Sequence, residues 1–409
     1  MRIAHFNSEE AGGSAILMQR LDRALVSLGH DSKTYHKSAP GAVDCKGLAL
    51  CGSGNTAKLL ERLGYSFENR MRRPDARSYF SRLNLLRKTP LRDSSIDIAH
   101  LHWVARWLDL PSFINSLPSH AGVVWTVHDM SPLAGGCFTD FSCGEFGNGC
   151  PVCPLLKFPF NQIWARQELK RRIRALQKRR VAFVANSQST MALVKRSEVA
   201  EGKLQKVIPP GFDFAELKQI PREEARRALG IPDEAFVLGF GAASLTDENK
   251  GIDRFYEVAR RAAQEIPDTR ALIFGDGEPE EKIPTHHLGT IKDPAQLALA
   301  YSAMDAHLLT SQMETFGQVS VEAQACGTPV FVYAVGGLPE TLVDGKTGVL
   351  VPFGKCEKMA EQIVAAYRAG RLGSMGQAGA EWVRGQFDSL VVAKKYVEVY
   401  EELLAGTAK

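Results

Sequence analysis

The segment "ETFGQVSVEAQACGTPV" (314–330) holds two glutamates that stand eight positions apart, Glu314 and Glu322. On a single helix, at roughly 100° per residue, their side chains would point about 80° apart. Gly327 and Pro329 are stop signals at the end of the run of small residues. The pattern therefore predicts a loop that carries Glu314, followed by a helix that carries Glu322.

The start of this helix predicts an anion site. The helix is expected to begin near Thr315 or Phe316, and the free backbone amides from Phe316 to Gln318 would donate hydrogen bonds to a phosphate. Gly317 lets a ligand approach the backbone closely. A phosphate held there has one glutamate on each side. Glu322 is expected to lie toward a ribose diol, and Glu314 toward the group on the far phosphate. This arrangement suits a nucleotide sugar.

Strand and helix patterns that could position these residues alternate along the chain in two series. The first series contains the strand patterns "MRIAHFN", "DIAHLHW", "GVVWTVHD" and "VAFVANS", and the second contains "FVLGFGAAS", "RALIFGDG", "AHLLTS" and "PVFVYA". Helical patterns lie between them, which is typical of parallel sheets. The sequence therefore predicts an α/β protein with two doubly wound Rossmann-like domains that face a cleft.

Ligands of open α/β sheets bind beyond the carboxyl ends of the strands. Residues that directly follow strand patterns are therefore candidate ligand contacts. They are Gly12 and Gly13, His128, Lys250, and the run from Gly275 through Asp276 to Gly277.

The stretch "HLGTIKDPAQLALAYSAMDAHLLTSQMETFGQVSVEAQACGTPVFVYAVGGLPETLVDGKTGVLVP" (287–352) resembles glycosyltransferase family 4 nearly throughout. This family consists of retaining glycosyltransferases with an E-x7-E signature and the two-Rossmann (GT-B) fold, and the resemblance extends more loosely over the whole chain. It implies that Glu314 contacts hydroxyls of the donor sugar as a catalytic residue and that Glu322 holds the ribose. Thr315, Phe316 and Gly317 are then donor-binding residues.

The resemblance assigns roles to other positions. Lys250 in "ENKGID" matches a Lys-Gly motif and is expected to bind the diphosphate, and His128 in "GVVWTVHDMSP" matches a catalytic-site histidine that borders the reacting sugar carbon. "EEAGGSA" resembles a loop in which Gly12 and Gly13 bring the backbone close to the donor phosphate and the acceptor. "FGDGE", with Asp276, resembles a loop near the nucleobase. A surface lysine, a histidine that ties down its own loop and a turn aspartate are the alternatives.

Residues near His128 are expected to support it. Asp129 would orient the loop or the histidine. His100 and His102 would line or brace the cleft together with Trp103.

The family resemblance also gives domain boundaries. The Pro/Gly-rich "KVIPPGFD" (206–213) predicts a hinge. We predict an acceptor-side domain over 1–208, a nucleotide-sugar-binding domain over 209–383 and a helix over 384–409 that crosses back to the first domain. Chemistry is expected to require closure of one domain on the other.

Two departures from known patterns bear on the mechanism. The family usually has an arginine a few residues before Lys250, where this chain reads "GAASLTD", so the second cation is missing or comes from elsewhere. No D-x-D pattern occurs in the chain, which predicts transfer without a catalytic metal. The expected chemistry is front-face attack with retention of configuration, in which the leaving phosphate takes the acceptor proton.

Four of the eight cysteines lie within "GGCFTDFSCGEFGNGCPVCP" (135–154), at Cys137, Cys143, Cys150 and Cys153. This spacing predicts a structural zinc site, with disulfides or reduced thiols as the alternatives. The cluster resembles a Cys-rich insertion in a bacterial surface-polysaccharide branch of the family, although Phe138 and Thr139 replace the usual "HY". Its expected role is to order the loop after His128.

Charge and composition limit the partners. The net charge of +4 is too small to indicate nucleic acid, and the start "MRIAHFNSEEAGG" is unlike a signal peptide, so a cytoplasmic protein is expected. Basic segments at 69–92 and 166–180 predict either solvated helix faces or a surface for an anionic acceptor or the inner membrane leaflet. The expected substrates are a UDP- or GDP-sugar and a saccharide or lipid-linked acceptor.

Other classes of function fit less well. A nucleic-acid binder would need a binding motif around its basic segments, and a dinucleotide oxidoreductase would need a strand-linked G-x-G-x-x-G. A catalytically decayed glycan- or nucleotide-binding regulatory protein is the main alternative to a transferase.

Overall fold

A computed structural model describes residues 1–36, 63, 66–73, 95–105, 107–139, 143–279 and 282–406. It divides the chain into two compact units, of which unit 1 is Met1–Gly211 with Ser389–Lys409 and unit 2 is Phe212–Asp388. The boundaries lie three and five residues beyond the predicted ones. The backbone N–H of Phe212 donates to the carbonyl of Phe387 at 2.8 Å, and both rings are buried in the core of unit 2.

Unit 1 is built on a six-stranded parallel sheet with strand order β2-β1-β3-β4-β5-β6. Its strands are β1 (Arg2–Asn7), β2 (Asp31–His36), β3 (Ile98–Leu101), β4 (Gly122–Val127), β5 (Val181–Ala185) and β6 (Leu204–Val207). Its helices include α1 (Gly13–Ser27), α2 (Leu110–Ser116), α3 (Phe160–Leu176) and α4 (Gln188–Arg196). The central strands β3, β4 and β5 are buried throughout, as expected where helices cover both faces, whereas the edge strands β2 and β6 are more polar and partly exposed.

The last helix of the chain, α11 (Ser389–Ala405), belongs to unit 1. Its buried face packs with α1 and with the sheet residues Ile3, Ile98 and Val124 in one hydrophobic cluster. Gly122 at the start of β4 lies so close to this helix that a Cβ there would be 2.8 Å from Leu403. The C-terminal segment therefore completes the core of the first unit.

Unit 2 has a second parallel sheet, with order β12-β11-β10-β7-β8-β9. The strands are β7 (Phe236–Ser244), β8 (Thr269–Asp276), β9 (Thr285–His287), β10 (Ala306–Leu309), β11 (Val330–Tyr333) and β12 (Gly348–Val351). The helices are α5 (Arg222–Leu229), α6 (Ile252–Ala263), α7 (Pro294–Ser302), α8 (Gln318–Ala325), α9 (Cys356–Arg368) and α10 (Leu372–Phe387). Because the strand order reverses between β7 and β10, their carboxyl ends form the topological switch point of this sheet.

The two doubly wound α/β units confirm the predicted fold class. Each predicted strand is present, and the sheets add β2, β6, β9 and β12, which the sequence patterns did not single out. In the described part of the chain, each helix is too short or too polar to span a bilayer.

Candidate functional site

An ion pair lies at the switch point of unit 2. Lys250 follows β7 and Glu314 follows β10, and the ammonium Nζ is 2.5 Å from the carboxylate Oε1. The hydroxyl of Ser311 donates to the same oxygen at 2.9 Å. The side chains are 29% and 15% exposed. Lys250 and Glu314, which were predicted separately and are 64 positions apart, therefore form one polar group. Ser311, which the sequence analysis did not assign, belongs to the same group.

Backbone hydrogen bonds tie the two loops of this ion pair together. Gln312 donates its N–H to the carbonyl of Asn249 at 2.7 Å, and the Asn249 side chain donates to the carbonyl of Met313 at 3.0 Å. Asp247 accepts the N–H of Asn249 at 3.0 Å through its carboxylate and the N–H of Lys250 at 2.8 Å through its carbonyl. The lysine and the glutamate are thus held in place by their loops as well as by their charges.

A pair of glycines after β11 holds the backbone of Glu314. Gly337 donates its N–H to the carbonyl of Glu314 at 3.0 Å. Gly336 has φ +52°, and a Cβ added there would be 1.8 Å from the same carbonyl oxygen. Sequence analysis did not assign these residues a role, although "VGG" lies in the segment that carries the family resemblance.

Helix α8 begins at Gln318, two to three residues later than predicted. The Phe316 side chain is 2% exposed and packs edge-to-face on Phe387, and Gly317 has φ +97°, so the chain becomes helical only after the glycine. The N–H groups of Gly317, Gln318 and Val319 donate no hydrogen bond within the described residues. These amides are available to an anion, and phosphate binding at this helix start stays a prediction.

The predicted donor-binding residues around α8 differ in what they can offer. Phe316 has a core side chain and can contact a ligand through its backbone alone. Thr315 is half-buried in the loop before the helix. Glu322 is 9% exposed, and the hydroxyl of Tyr301 donates to its Oε2 at 3.2 Å, so Tyr301 helps to orient the carboxylate that was predicted to hold a ribose.

The next strand end carries Asp276, which is exposed. Its carbonyl accepts the N–H of Leu245 at 2.8 Å, which joins it to the loop after β7. Where the family usually has an arginine, this loop offers the hydroxyls of Ser244 and Thr246, 2.9 Å apart. Asp276 is thus at the predicted edge of the sheet, next to the loop that leads to Lys250.

In unit 1, Gly12 precedes α1 and Gly13 is its first residue, directly after β1. His128 follows β4 and is half-buried. Its Nε2 lies 3.1 Å from Nδ1 of His102, and both histidines line a small cavity with Asn186. Burial lowers the pKa of His128 to about 4, so its imidazole is neutral at pH 7.

Asp129 orients its own loop and a tryptophan. Its Oδ2 accepts the indole N–H of Trp103 at 2.8 Å, and its Oδ1 accepts the N–H of Ser131 at 2.8 Å. Burial is the main influence on the carboxyl group and raises its pKa. The group that contacts His128 is His102, which was predicted to line or brace the site.

The four clustered cysteines line one apolar cavity of unit 1, and all six described cysteines are free thiols. Burial and the neighbouring sulfurs raise the pKa of Cys137, and burial raises that of Cys150 to about 11. Four thiols around one cavity are a donor set that suits zinc. Among the described residues, the group of ligand atoms close enough to share one ion consists of ring nitrogens of His5, His100 and His102, and the four sulfurs do not form such a group in this structure.

Most arginines of segment 171–180 stabilise the fold. Arg172 is buried and donates to the carbonyls of Ser131 and Ala134 in the loop after β4, at 2.7 and 2.5 Å. Arg179 donates to the carbonyl of Pro118 at 2.8 Å, and Arg180 to that of Leu404 at 2.6 Å. The prediction of a solvated or anion-binding face is therefore wrong for Arg172, which is buried, whereas for the half-buried Arg179 and Arg180 it stays a prediction. Most of the basic segment 69–92 lies outside the described residues.

The site of unit 2 lies within a segment that matches a protein-family model. Residues 221–375 match the family model described as Glycosyl transferases group 1. The chain is 32% identical over 241 residues to a D-inositol 3-phosphate glycosyltransferase of Segniliparus rotundus, which covers 55% of this chain and 53% of that protein. It thus spans about half the length of this curated relative.

Solved structures align over nearly the whole chain. A sucrose-phosphate synthase from Thermosynechococcus elongatus has a TM-score of 0.66 at 21% identity, over 99% of both chains. Anabaena HepE in complex with UDP-glucose has a TM-score of 0.61 at 17% identity, over 98% of this chain and 100% of that one. These likenesses establish a fold of the GT-B type.

The segment 221–375, which matches the glycosyl transferases group 1 model, contains the Lys250–Glu314 pair and α8. The sequence prediction is confirmed at this level. Membership of family 4 and of the surface-polysaccharide branch stays a prediction.

Gly336→Ala should lower the free energy of unfolding by more than the positive φ of this residue alone predicts. Both Gly336 and Gly354 have positive φ, but a Cβ at Gly354 would meet nothing within 4 Å, so Gly354→Ala is the matched control. We expect the control to cost about 1–2 kcal/mol of unfolding free energy, and Gly336→Ala to cost clearly more because the methyl displaces the Glu314 carbonyl. Urea unfolding measures the difference. Equal losses would mean that the Glu314 loop tolerates the displacement.

The cysteine cluster should bind close to one zinc ion per chain. Cys153→Ser should lose the metal, whereas Cys356→Ser, at a buried thiol of unit 2, should keep it. Elemental analysis of protein purified without chelator checks both variants. Four reactive thiols in the cluster and no zinc in the wild-type protein would contradict the prediction.

Proposed function

We propose that this protein is a retaining, metal-independent glycosyltransferase of the hexosyltransferase type. It moves a sugar from a UDP- or GDP-sugar to a saccharide or lipid-linked acceptor in surface polysaccharide biosynthesis. The observation that carries the proposal is the Lys250–Glu314 ion pair beside the open amides of α8, at the switch point of unit 2.

The polar groups at this switch point match the parts of a nucleotide sugar. An ammonium group has three N–H donors, so Lys250 can keep its bond to Glu314 and still donate to a diphosphate. The amides of Gly317, Gln318 and Val319 provide further donors for the same anion. A diphosphate is the leaving group of the proposed reaction, and these groups would stabilise the charge that it gains.

The reaction breaks the bond between the anomeric carbon and the diphosphate oxygen. The acceptor oxygen forms its bond to that carbon on the same face, so configuration is retained. The acceptor proton passes to the departing phosphate oxygen, which becomes more basic as the bond breaks. Lys250 takes no part in this proton transfer, and its proposed role is to stabilise the charge on the departing diphosphate.

The choice between UDP and GDP is supported by a structural neighbour. Anabaena HepE, which shares the fold, was crystallised with UDP-glucose. We therefore place UDP first and GDP second. Glu322, with its carboxylate fixed by Tyr301, is the proposed ribose ligand for either nucleotide.

A patch of exposed residues supports a lipid-linked acceptor. Before and within α3, Phe158 is 76% exposed and Ile163 is 52% exposed. Arg166, Lys170 and Arg174 follow on α3 at spacings of three and four residues, and all three are exposed, so they continue one helix face. Apolar side chains beside a row of cations fit an anionic membrane surface, where each cation contributes about 1 kcal/mol.

The ion pair and α8 predict how substitutions divide nucleotide binding from turnover. Glu322→Ala should weaken binding of the nucleoside diphosphate by about 1.5–3 kcal/mol, because it removes a charged hydrogen bond. Lys250→Ala should weaken it as well and also lower turnover, whereas His128→Ala should lower turnover and keep affinity. Titration calorimetry measures the affinities, and release of nucleoside diphosphate measures turnover.

An exposed lysine of α9 gives the matched control. Lys358→Ala removes the same charge from unit 2 away from β7 and β10 and should bind like the wild type. Unchanged affinity of both Lys250→Ala and Glu322→Ala for the nucleoside diphosphate would mean that the nucleotide does not bind at the switch point. A decayed binding protein would bind the nucleotide normally but turn over no sugar from any donor.

The exposed patch predicts binding to anionic membranes. The protein should sediment with vesicles of phosphatidylglycerol and phosphatidylcholine, and less with vesicles of phosphatidylcholine alone. Phe158→Ser with Ile163→Ser should reduce the bound fraction, whereas Val391→Ser, on the exposed side of α11, should not. Equal sedimentation of all variants, or none with anionic vesicles, would contradict a membrane-facing patch.

A further inference from the structure

A line of histidines runs through one face of the sheet in unit 1. His5 on β1 is paired in register with His100 on β3, and His102 lies two residues further along the chain from His100. His128 follows the adjacent strand β4. Because side chains alternate across a strand, His5, His100 and His102 lie on the face that α1 and α11 cover.

Three of these histidines form a chain of hydrogen bonds. His5 Nδ1 is 3.1 Å from His102 Nε2, and His102 Nδ1 is 3.1 Å from His128 Nε2. His102 therefore uses both ring nitrogens. At the other end, Nδ1 of His128 makes no hydrogen bond within the described residues, and the ring borders the cavity at the carboxyl ends of the strands.

His100 is held apart from this chain by its own partners. Its Nδ1 is 2.7 Å from the hydroxyl of Tyr400 and its Nε2 is 2.8 Å from that of Thr126. Nitrogens of His5, His100 and His102 lie within 4.8 Å of one another, but those of His100 and His102 are already hydrogen-bonded. We therefore interpret the cluster as a hydrogen-bond network.

Each of the three hydrogen-bonded histidine rings is neutral at pH 7. Burial lowers the pKa of His5 to about 3 and that of His128 to about 4, and it lowers the pKa of His102 well below its usual range. A neutral imidazole has one N–H donor and one bare nitrogen acceptor. The two hydrogen bonds must therefore run in the same direction, either toward His128 or away from it.

The ring nitrogen of His5 that has no partner indicates the direction of the two hydrogen bonds. Nε2 of His5 is buried and has no hydrogen-bond partner in the described structure. If the bonds ran away from His128, this nitrogen would carry a buried N–H without an acceptor, which proteins rarely contain. If they run toward His128, it carries only a lone pair. Nε2 of His128 then accepts a hydrogen bond, and its proton must lie on Nδ1.

We propose that His102 and His5 are positioning residues that fix His128 as the Nδ1–H tautomer. His128 then presents a hydrogen-bond donor at the cavity and is not the base that deprotonates the acceptor. Its ligand would be an oxygen of the nucleotide sugar, either a sugar hydroxyl or a phosphate oxygen. This last step rests on the proposed function, but the tautomer does not.

Nitrogen-15 NMR of the full-length protein with labelled histidines tests the tautomer directly. His128→Gln assigns the His128 signals. In the wild-type protein we expect Nδ1 of His128 to be protonated and Nε2 to be bare, with the same pattern in His102 and His5. A proton on Nε2 of His128 would overturn the proposal without any variant or activity measurement.

Two substitutions of His102 give opposite outcomes. The carboxylate in His102→Asp is only an acceptor, so it should move the proton of His128 to Nε2, whereas the amide in His102→Asn can still donate. We expect His102→Asp to lower turnover roughly 10-fold or more with nucleoside diphosphate affinity within about 2-fold, and His102→Asn to recover much of the turnover. Equal turnover of the two variants would show that His102 has only a structural role.

The two readouts separate this inference from the proposed function. If no nucleotide sugar is turned over but the NMR shows the Nδ1–H tautomer, the positioning role holds and the assigned reaction is wrong. If turnover is found and the tautomer is the opposite one, the positioning role is wrong and the assigned reaction stands.

Discussion

The ion pair between Lys250 and Glu314 is the interaction on which the arrangement of the candidate site in unit 2 depends. The carboxylate of Glu314 holds the ammonium group of Lys250 in one position at the switch point of the sheet. A charged group contributes more to binding and catalysis when it is held in position than when it is mobile. The pairing requires the loops after β7 and β10 to meet, and it requires Gly336 to let the backbone of Glu314 pass. The amides of α8 then become part of the same polar surface.

In unit 1 the candidate catalytic residue is a neutral group on a well-held loop. The guanidinium of Arg172 donates hydrogen bonds to backbone carbonyls of the loop after β4 and so stabilises this loop. The four clustered cysteines follow in the same part of the chain. His128 at the start of this loop is neutral because it is buried, and its ring is connected to the sheet through His102 and His5. The first unit therefore offers oriented dipoles, whereas the second offers charge.

The sequence predicts eight of the twelve strands that the structure describes, together with the fold class and the end-of-strand positions of the candidate site, because apolar strand patterns and the residues after them are local signals. It does not predict that Lys250 and Glu314 form a pair, since 64 residues separate them. The start of α8 differs because the core position of Phe316 overrides local helix signals. The arginines of 171–180 form a charged run in the sequence, but the carbonyl groups that bind Arg172, Arg179 and Arg180 come from distant segments.

The stereochemistry of the transferred sugar tests the central claim most directly. The purified protein would be incubated with a panel of UDP- and GDP-sugars and a saccharide acceptor, and the anomeric proton of the first product would be followed by proton NMR. We predict that an α-linked donor gives an α-linked product and releases one nucleoside diphosphate per bond formed, without added metal. A β-linked first product, or turnover only with a divalent cation, would contradict the account.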